Sequence, residues 1–323
     1  MVGRQPLRKE LRAAFPEQPA QARQVGDQEV DVADLDHRLR SLVGNIGGTS
    51  ESGFIPVSGG RLYYEESGAG PPLVMLHAGV ANLRQWDPHV PAFAESYRVI
   101  RYDSRGYGRS ESEHVEFSNH GDLEQVLAYL GVRETHLLGT SRSGSIALNF
   151  TVTHPERVTS LTVVASGVGE PDLPADALVP SEALDKATEE ALEAKDWMRL
   201  ADLETAFWGD GPGQPEGRLN ASARASMHDW ILTTYAAEKE EGIPQRLDPP
   251  ADERLDQLTM PLLVVIGALD EAYTNASGRI LADAVPGSRF EVFEGAAHML
   301  NLEQPERFTR LVLDFLSEVD ART

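Results

Sequence analysis

The sequence predicts an α/β fold, in which a mostly parallel β-sheet is covered on both faces by helices. Short apolar runs rich in β-branched residues recur from residue 61 onward, and stretches with helical spacing separate them. Strands that are apolar along their whole length belong to sheets covered on both faces, because an exposed face would show alternating polar residues. The chain is also long enough, since 323 residues with 41% hydrophobic content can bury one large core.

Each predicted element follows from its local pattern. The predicted strands lie at residues 61–67, 72–77, 97–103, 135–139, 161–166, 261–267 and 289–293. The predicted helices lie around residues 86–94, 122–130, 143–154, 275–284 and 305–316. Because most helices fall between two strands, neighbouring strands are expected to run parallel.

Two regions interrupt this alternation and divide the chain. Residues 1–52 are rich in charge and glutamine and predict an N-terminal extension with one amphipathic helix. Its apolar residues at helical spacing are Val32, Leu35, Leu39, Leu42 and Val43. Residues 169–256 lack strand patterns and predict a helical cap or lid inserted into a core formed by residues 53–168 and 257–323. The extension either packs on the core or a neighbouring subunit, which permits a homo-oligomer, or serves as a regulatory arm.

Charge and composition exclude several classes of function. A formal charge of −22 disfavours binding to nucleic acids or anionic membranes, which repel an acidic protein. The absence of cysteine excludes disulfides, thiol nucleophiles and cysteine-ligated metals. The first residues show no secretory signal, and no apolar run approaches the ~20 residues needed to span a bilayer. We therefore expect a cytoplasmic protein that acts on a small molecule.

The stretch LLGTSRSGSIAL, residues 137–148, is the main candidate for chemistry. A strand, a tight turn and a helix follow one another directly, an order that raises a side chain at the turn above the edge of the sheet. Ser141 lies at the apex, and small residues flank it at Gly139, Ser143 and Gly144. Ser143 and Ser145 are expected in the first helical turn, pointing away from the reacting centre.

These residues resemble the Gly-x-Ser-x-Gly nucleophile elbow of the α/β-hydrolase family, with Ser143 in place of the second glycine. The resemblance covers about residues 54–320 and implies the α/β-hydrolase fold. It also implies the order nucleophile, acid, histidine, which Asp270 and His298 fit because each follows directly after a predicted strand. A serine needs such a base, and the base needs an acid that fixes its tautomer.

The resemblance further implies an oxyanion hole, in which two amides stabilise the negative oxygen of a tetrahedral intermediate. One donor is the amide of Arg142, which follows the nucleophile. The family's H-G-x loop corresponds here to His77, Ala78 and Gly79, so the second donor is the amide of Gly79.

Other motifs are expected to have structural roles, or they allow more than one interpretation. The turn YDSRGYGRSE, residues 102–111, is expected to brace the fold. The sequence shows neither a dinucleotide-binding loop nor the spacing of metal ligands, so no cofactor or metal is expected. The guanidinium of Arg142 suits a substrate with a carboxylate or polarised carbonyl, or alternatively pairs with an acidic residue of the cap. The remaining pocket candidates are Arg84, Trp86, Trp208, Trp230 and Met299.

The framework as a whole is most similar to small soluble esterases and 3-oxoadipate enol-lactonase-like enzymes. That similarity implies a serine hydrolase that cleaves a small carboxylic ester or lactone through an acyl-enzyme on Ser141. Two alternatives stay open: a triad-dependent enzyme that is non-hydrolytic or cleaves carbon–carbon bonds, and a ligand-binding receptor or pseudo-enzyme. Framework alone does not select among them.

Overall fold

The computed structural model describes residues 50–169, 172 and 175–322. Its strands are β1 (Glu51–Val57), β2 (Gly60–Ser67), β3 (Pro72–Leu76), β4 (Arg98–Tyr102), β5 (Glu111–Ser112), β6 (Glu116–Phe117), β7 (Thr135–Thr140), β8 (Val158–Val164), β9 (Ile243–Pro244), β10 (Leu262–Gly267) and β11 (Arg289–Phe293). The helix predicted in the N-terminal extension lies outside the described residues.

The helices follow the predicted alternation. They are α1 (Val90–Phe93), α2 (Asn119–Tyr129), α3 (Arg142–Thr153), α4 (Ala175–Glu193), α5 (Trp197–Glu204), α6 (Ala221–Ala236), α7 (Ala272–Ala284), α8 (Leu300–Glu303) and α9 (Pro305–Asp320). Short 3-10 helices cover Leu83–Trp86, Pro155–Arg157 and Ala251–Gln257, and a π-helix covers Thr205–Asp210.

The main sheet has the order β1-β2-β4-β3-β7-β8-β10-β11, with β5 paired to β2. All pairs from β4 to β11 along this order are parallel, whereas β2 is antiparallel to its neighbours β1, β4 and β5. The prediction of a mostly parallel sheet with helices on both faces is therefore confirmed. Because parallel strands end at the same edge, the loops after β3, β7, β10 and β11 meet there.

Two apolar layers fill the two faces of the sheet. One layer joins the strands to α2, α3 and α7, and includes Leu123, Phe150 and Leu281. The other joins them to α1 and α9, and includes Phe93 and Phe308. β10 lies between these layers and is buried at all six positions, which explains its uninterrupted apolar sequence.

The structure differs from the prediction mainly in short edge elements. β1 starts at Glu51, inside the range predicted as extension, and pairs with β2. β9 lies within residues 169–256, which the sequence pattern predicted to be free of strands, and pairs with β6 in a separate two-stranded sheet. Two-residue strands carry no readable periodicity, and β1 contains Gly53 and Pro56, which disfavour a strand prediction.

Candidate active site

Ser141 lies between the end of β7 and the start of α3, in a strained backbone conformation. Its φ of 55° and ψ of −124° are unusual for a residue with a side chain, and its amide donates to the carbonyl of Val164 at 2.8 Å. The turn is tight enough to require glycine at residue 139, since a Cβ there would lie 2.2 Å from the carbonyl oxygen of Ser143. This geometry turns the Ser141 side chain away from the helix backbone toward the loop after β11.

Ser141, His298 and Asp270 form one chain of hydrogen bonds. His298 Nε2 lies 2.7 Å from Ser141 Oγ, and His298 Nδ1 lies 2.8 Å from Asp270 Oδ2. A carboxylate can only accept, so Nδ1 carries a proton and Nε2 is left to accept the serine hydrogen. Asp270 and His298 are both buried, which strengthens these interactions. The arrangement can withdraw the proton of Ser141 as that oxygen attacks an electrophile.

A close backbone contact fixes the position of His298. A Cβ at Gly267, the last residue of β10, would lie 2.1 Å from the carbonyl oxygen of Ala297. The amide of Ala297 donates to Glu303 Oε1 at 2.7 Å. The loop that carries His298 is therefore held against the strand that leads to Asp270.

The loop after β3 is held by a neutral histidine. His77 is fully buried, and burial lowers the pKa of its imidazole to about 4. The amide of Ser104 donates to Nε2 at 3.0 Å, which leaves Nδ1 protonated to donate to the carbonyl of Ala78 at 2.8 Å. The amide of Ala78 in turn donates to Gln85 Oε1 at 2.9 Å. The peptide groups that join His77 to Ala78 and Ala78 to Gly79 are thereby fixed in orientation.

Ser143 connects this loop to α3. Its side chain is fully buried, and Oγ donates to the carbonyl of His77 at 2.5 Å. Ser143 lies in the first turn of α3, as predicted. The sequence predicted only that its side chain would point away from the reacting centre, and in the structure its hydroxyl reaches the loop after β3. A glycine at this position could not make the bond.

Gln85 and Asn301 extend the connection to the histidine loop, and sequence reasoning missed both. Gln85 Nε2 lies 3.5 Å from Asn301 Oδ1, and both side chains are fully buried. Gln85 belongs to the 3-10 helix after β3, and Asn301 to α8, which follows His298. No motif marks either residue, because a buried amide acts here through its position in space.

Trp208 is the pocket candidate that the structure brings to His298. It lies on the π-helix Thr205–Asp210, and its ring centroid is 4.5 Å from that of His298. π-helical turns often occur at functional sites. Met299 is fully buried in the same apolar cluster, and Trp230 packs against its edge. This cluster joins residues of the predicted cap to residues of the loops beside the site: Ala78, Val80, Ala81, Leu184, Ala201, Phe207, Trp208, Leu219, Met227, Ile231, Met299 and Leu302.

The structure does not support the other two pocket candidates. Trp86 is fully buried in the core layer on the α9 side, where it stacks on Phe308 at a centroid distance of 6.3 Å. Arg84 is partly exposed and forms salt bridges with Glu65 and Asp87. Residue type suggested a pocket in both cases, but sequence does not reveal which layer or surface a tryptophan or arginine joins.

The turn at residues 102–111 braces the fold, as predicted. Asp103 accepts from the amides of Leu83 and Arg109 at 2.9 and 2.8 Å. Arg105 is bound to Asp122 through Nε at 2.7 Å and Nη2 at 2.9 Å.

Fold and site together define the class of protein. Residues 71–305 match the family model described as the alpha/beta hydrolase fold, which covers well over half of the chain. The chain therefore belongs to the α/β hydrolase fold family and is a hydrolase. Within the part of the chain that the structure describes, no helix has the length and apolar character needed to cross a membrane.

Three known proteins illustrate the range of similarity. A 2-hydroxymuconate semialdehyde hydrolase from Pseudomonas sp. strain CF600 is 30% identical, over 83% of this chain and 94% of its own length. A pimeloyl-[acyl-carrier protein] methyl ester esterase from Aeromonas hydrophila is 30% identical, over 78% of this chain and 98% of its own. The structure of an enol-lactonase from Burkholderia xenovorans LB400 superposes with a TM-score of 0.62 at 25% identity, over 82% of this chain and all of its own.

Proposed function

We propose that this protein is a serine hydrolase that cleaves a small carboxylic ester or lactone through an acyl-enzyme on Ser141. The observation that carries the proposal is the hydrogen-bonded chain from Asp270 through His298 to Ser141, with Ser141 at a strained turn. Similarity to a methyl ester esterase and an enol-lactonase supports the same class of bond.

In the proposed reaction, His298 Nε2 takes the proton of Ser141 while Oγ attacks the substrate carbonyl. The amides of Gly79 and Arg142 stabilise the resulting oxyanion. His298 then protonates the leaving alkoxide, and the acyl group stays on Ser141. A water molecule, activated by the same histidine, releases the acid and restores the serine. Asp270 holds the imidazole in the required tautomer and stabilises its cation.

The experiment follows acid release by pH-stat from a panel of short esters, long esters and lactones, and compares the wild type with Ser141→Ala. We expect release by the wild type, and loss of at least about a thousandfold in turnover for Ser141→Ala. A neutral fluorophosphonate probe should label the wild type and leave Ser141→Ala unlabelled. Equal labelling of both proteins, or release that survives in Ser141→Ala, would contradict the assignment of the nucleophile.

A second candidate is hydrolysis of a carbon–carbon bond by the same residues. Its specific support is the 30% identity to the 2-hydroxymuconate semialdehyde hydrolase. The panel should therefore include a 2-hydroxy-6-oxo-dienoate, whose cleavage is followed by loss of its absorbance. Cleavage of this compound with no release from any ester or lactone would favour the second candidate.

A further inference from the structure

The π-helix Thr205–Asp210 packs one side chain on the imidazole of His298. That side chain is Trp208, which is buried, and the two rings are tilted by 51° at a centroid distance of 4.5 Å. In the proposed reaction the bond from His298 to Ser141 breaks as the proton moves. The ring stays bound to Asp270 at Nδ1 and can pivot about that bond. A side chain in contact with the ring limits this pivot and so keeps the base aligned.

Arg218 joins the π-helix to the loop after β11, which carries His298. Its Nε donates to the carbonyl of Asp210 at 2.5 Å, and Nη2 donates to the carbonyl of Gly209 at 3.1 Å. On the other side, Nη1 donates to Glu303 Oε2 at 2.5 Å and to the carbonyl of Gly295 at 2.8 Å. A planar guanidinium can bind both sides at once because its N–H groups point in fixed directions.

Glu303 passes this connection on to the residue before His298. Its Oε1 accepts from the amide of Ala297 at 2.7 Å, while Oε2 accepts from Arg218. The side chains of Arg218 and Glu303 are 18% and 6% exposed, so water competes little for the pair. Gly211, just after the π-helix, packs on the same loop, since a Cβ there would lie 3.0 Å from Ala297 Cβ.

The turn between the π-helix and Arg218 is itself closed by a buried carboxylate. Asp210 Oδ1 accepts from the amide of Leu219 at 2.9 Å, and Oδ2 accepts from the amide of Gly217 at 3.1 Å. These amides flank residue 218 on both sides. The backbone therefore holds Arg218 in reach of both the π-helix and the loop after β11.

We propose that Arg218 is a positioning residue, which ties the π-helix to the loop after β11 so that Trp208 keeps the imidazole of His298 aligned with Ser141. The inference rests on the proposed function, because it requires His298 to activate Ser141. It gives part of the region predicted as a cap, the segment from Trp208 to Arg218, a role in the chemical step.

The first test compares Arg218→Met with Arg224→Met. Arg218→Met keeps the apolar stem and removes the guanidinium. We expect kcat for the best ester or lactone of the panel to fall about tenfold, with KM changed less than about twofold, because the lost contacts align the base. Arg224 is the matched control, since it also binds Asp210 at 3.2 Å but pairs with Glu216 on its other side. Arg224→Met should keep kcat within about twofold.

A double-mutant cycle tests whether Arg218 acts through Trp208. Trp208→Phe keeps a ring that can pack on the imidazole and should retain most of kcat, whereas Trp208→Leu should lower kcat about tenfold. Adding Arg218→Met to Trp208→Leu should then cost less than about a further threefold. Additive losses, which amount to about a hundredfold in the double variant, would overturn the inference.

Glu303→Gln provides a second route to the same result if Arg218→Met does not fold. The amide oxygen of glutamine can still accept from Ala297, and its NH₂ group cannot accept from Arg218. We expect Glu303→Gln to lower kcat by about as much as Arg218→Met does. Thermal unfolding of each variant verifies that the protein is folded at the assay temperature.

The rate of fluorophosphonate labelling reports activation of Ser141 without turnover. Arg218→Met and Glu303→Gln should slow labelling by about the same factor as they lower kcat. Wild-type labelling rates in both variants, or a rise in KM with unchanged kcat, would overturn the inference. If Ser141 is labelled and needed for turnover while both variants react at wild-type rates, only the inference fails. If Ser141 is neither labelled nor needed, the proposed function fails.

Discussion

At Ser141, backbone strain falls on the residue proposed as the nucleophile. A left-handed φ of 55° is unfavourable for every residue except glycine, and such conformations cost on the order of 1 to 3 kcal/mol. Both Ser141→Gly and Ser141→Ala remove the hydroxyl and its bond to His298, so they differ mainly in backbone strain. We expect both to be inactive and Ser141→Gly to be the more stable by about 1 kcal/mol. Urea unfolding of the two variants measures the difference. A less stable glycine variant would show that the strain is absent in solution.

Substitution of Ser143 is expected to change stability more than activity, because its hydroxyl donates to the backbone carbonyl of His77. Ser143→Ala leaves a buried carbonyl without this donor, which costs about 1 to 3 kcal/mol. We expect the free energy of unfolding to fall by that amount while kcat falls less than about tenfold. Thermal unfolding and steady-state kinetics test both parts. If Ser143→Ala were as inactive as Ser141→Ala at unchanged stability, the assignment of the nucleophile to residue 141 would be wrong.

Between elements, the loop after β3 depends on the buried amide of Gln85. The amide of Ala78 donates to Gln85 Oε1, and Gln85 Nε2 reaches Asn301. Gln85→Met keeps the length of the side chain and removes the acceptor. We expect kcat to fall about tenfold with little change in KM, because the proposed oxyanion donors bind more tightly in the transition state than in the ground state.

The control for this prediction is Gln85→Glu, which keeps an acceptor at the same atom and should retain more of the activity than Gln85→Met. A rise in KM with unchanged kcat would indicate that Gln85 supports substrate binding and not the oxyanion loop.

The sequence predicted the longer strands that carry apolar or aromatic residues, and it missed the edge strand β1 and the two-residue strands. β10 is buried at every position and was recognisable as an apolar run. The turn to Ser141 was recognisable from the small residues that flank it. β1 lies at the sheet edge and alternates partly, while β6 and β9 exist only because they pair with each other. In the site, order along the chain suggested Asp270 and His298, but the contacts of Gln85 and Asn301 depend on three-dimensional packing.

Across the whole molecule, buried histidines make stability depend on pH. Burial lowers the pKa of His77 and of His89 to about 4, from an ordinary value of 6.5. In the unfolded chain both take up protons as the pH falls below about 6.5, whereas the native imidazoles stay neutral until about pH 4. The unfolded state therefore binds more protons in this window. We expect each histidine to lower the free energy of unfolding by up to about 1.4 kcal/mol per pH unit as the pH falls from 6.5 to 4.

His89→Gln isolates one of these contributions, because glutamine can still bond to Thr309, the present partner of His89 Nδ1 at 2.8 Å. Urea unfolding at pH 7, 5.5 and 4.5 should show a shallower pH dependence for the variant, by the contribution of one histidine. Identical slopes in the two proteins would contradict a neutral, buried His89.

Removal of residues 1–49 separates the extension from the chemistry. Ser141, Asp270 and His298 form their hydrogen bonds without any residue before Glu51, so we expect kcat/KM to stay within about twofold. Light scattering on the same truncated protein tests whether the extension holds subunits together. A folded but inactive truncation would show that the extension contributes to the site.

The backbone contacts at Gly139 and Gly267 restrict which positions of this protein can accept substitutions. Each leaves no room for even one methyl group, since a Cβ would lie 2.2 and 2.1 Å from a neighbouring carbonyl oxygen. The side chains proposed to react are thus anchored by the sheet, whereas α4 to α6 belong to the region predicted as a cap and are separate elements of the chain. Directed evolution confined to α4–α6 should yield active variants with altered substrate range, and lineages should retain glycine at residues 139 and 267 throughout.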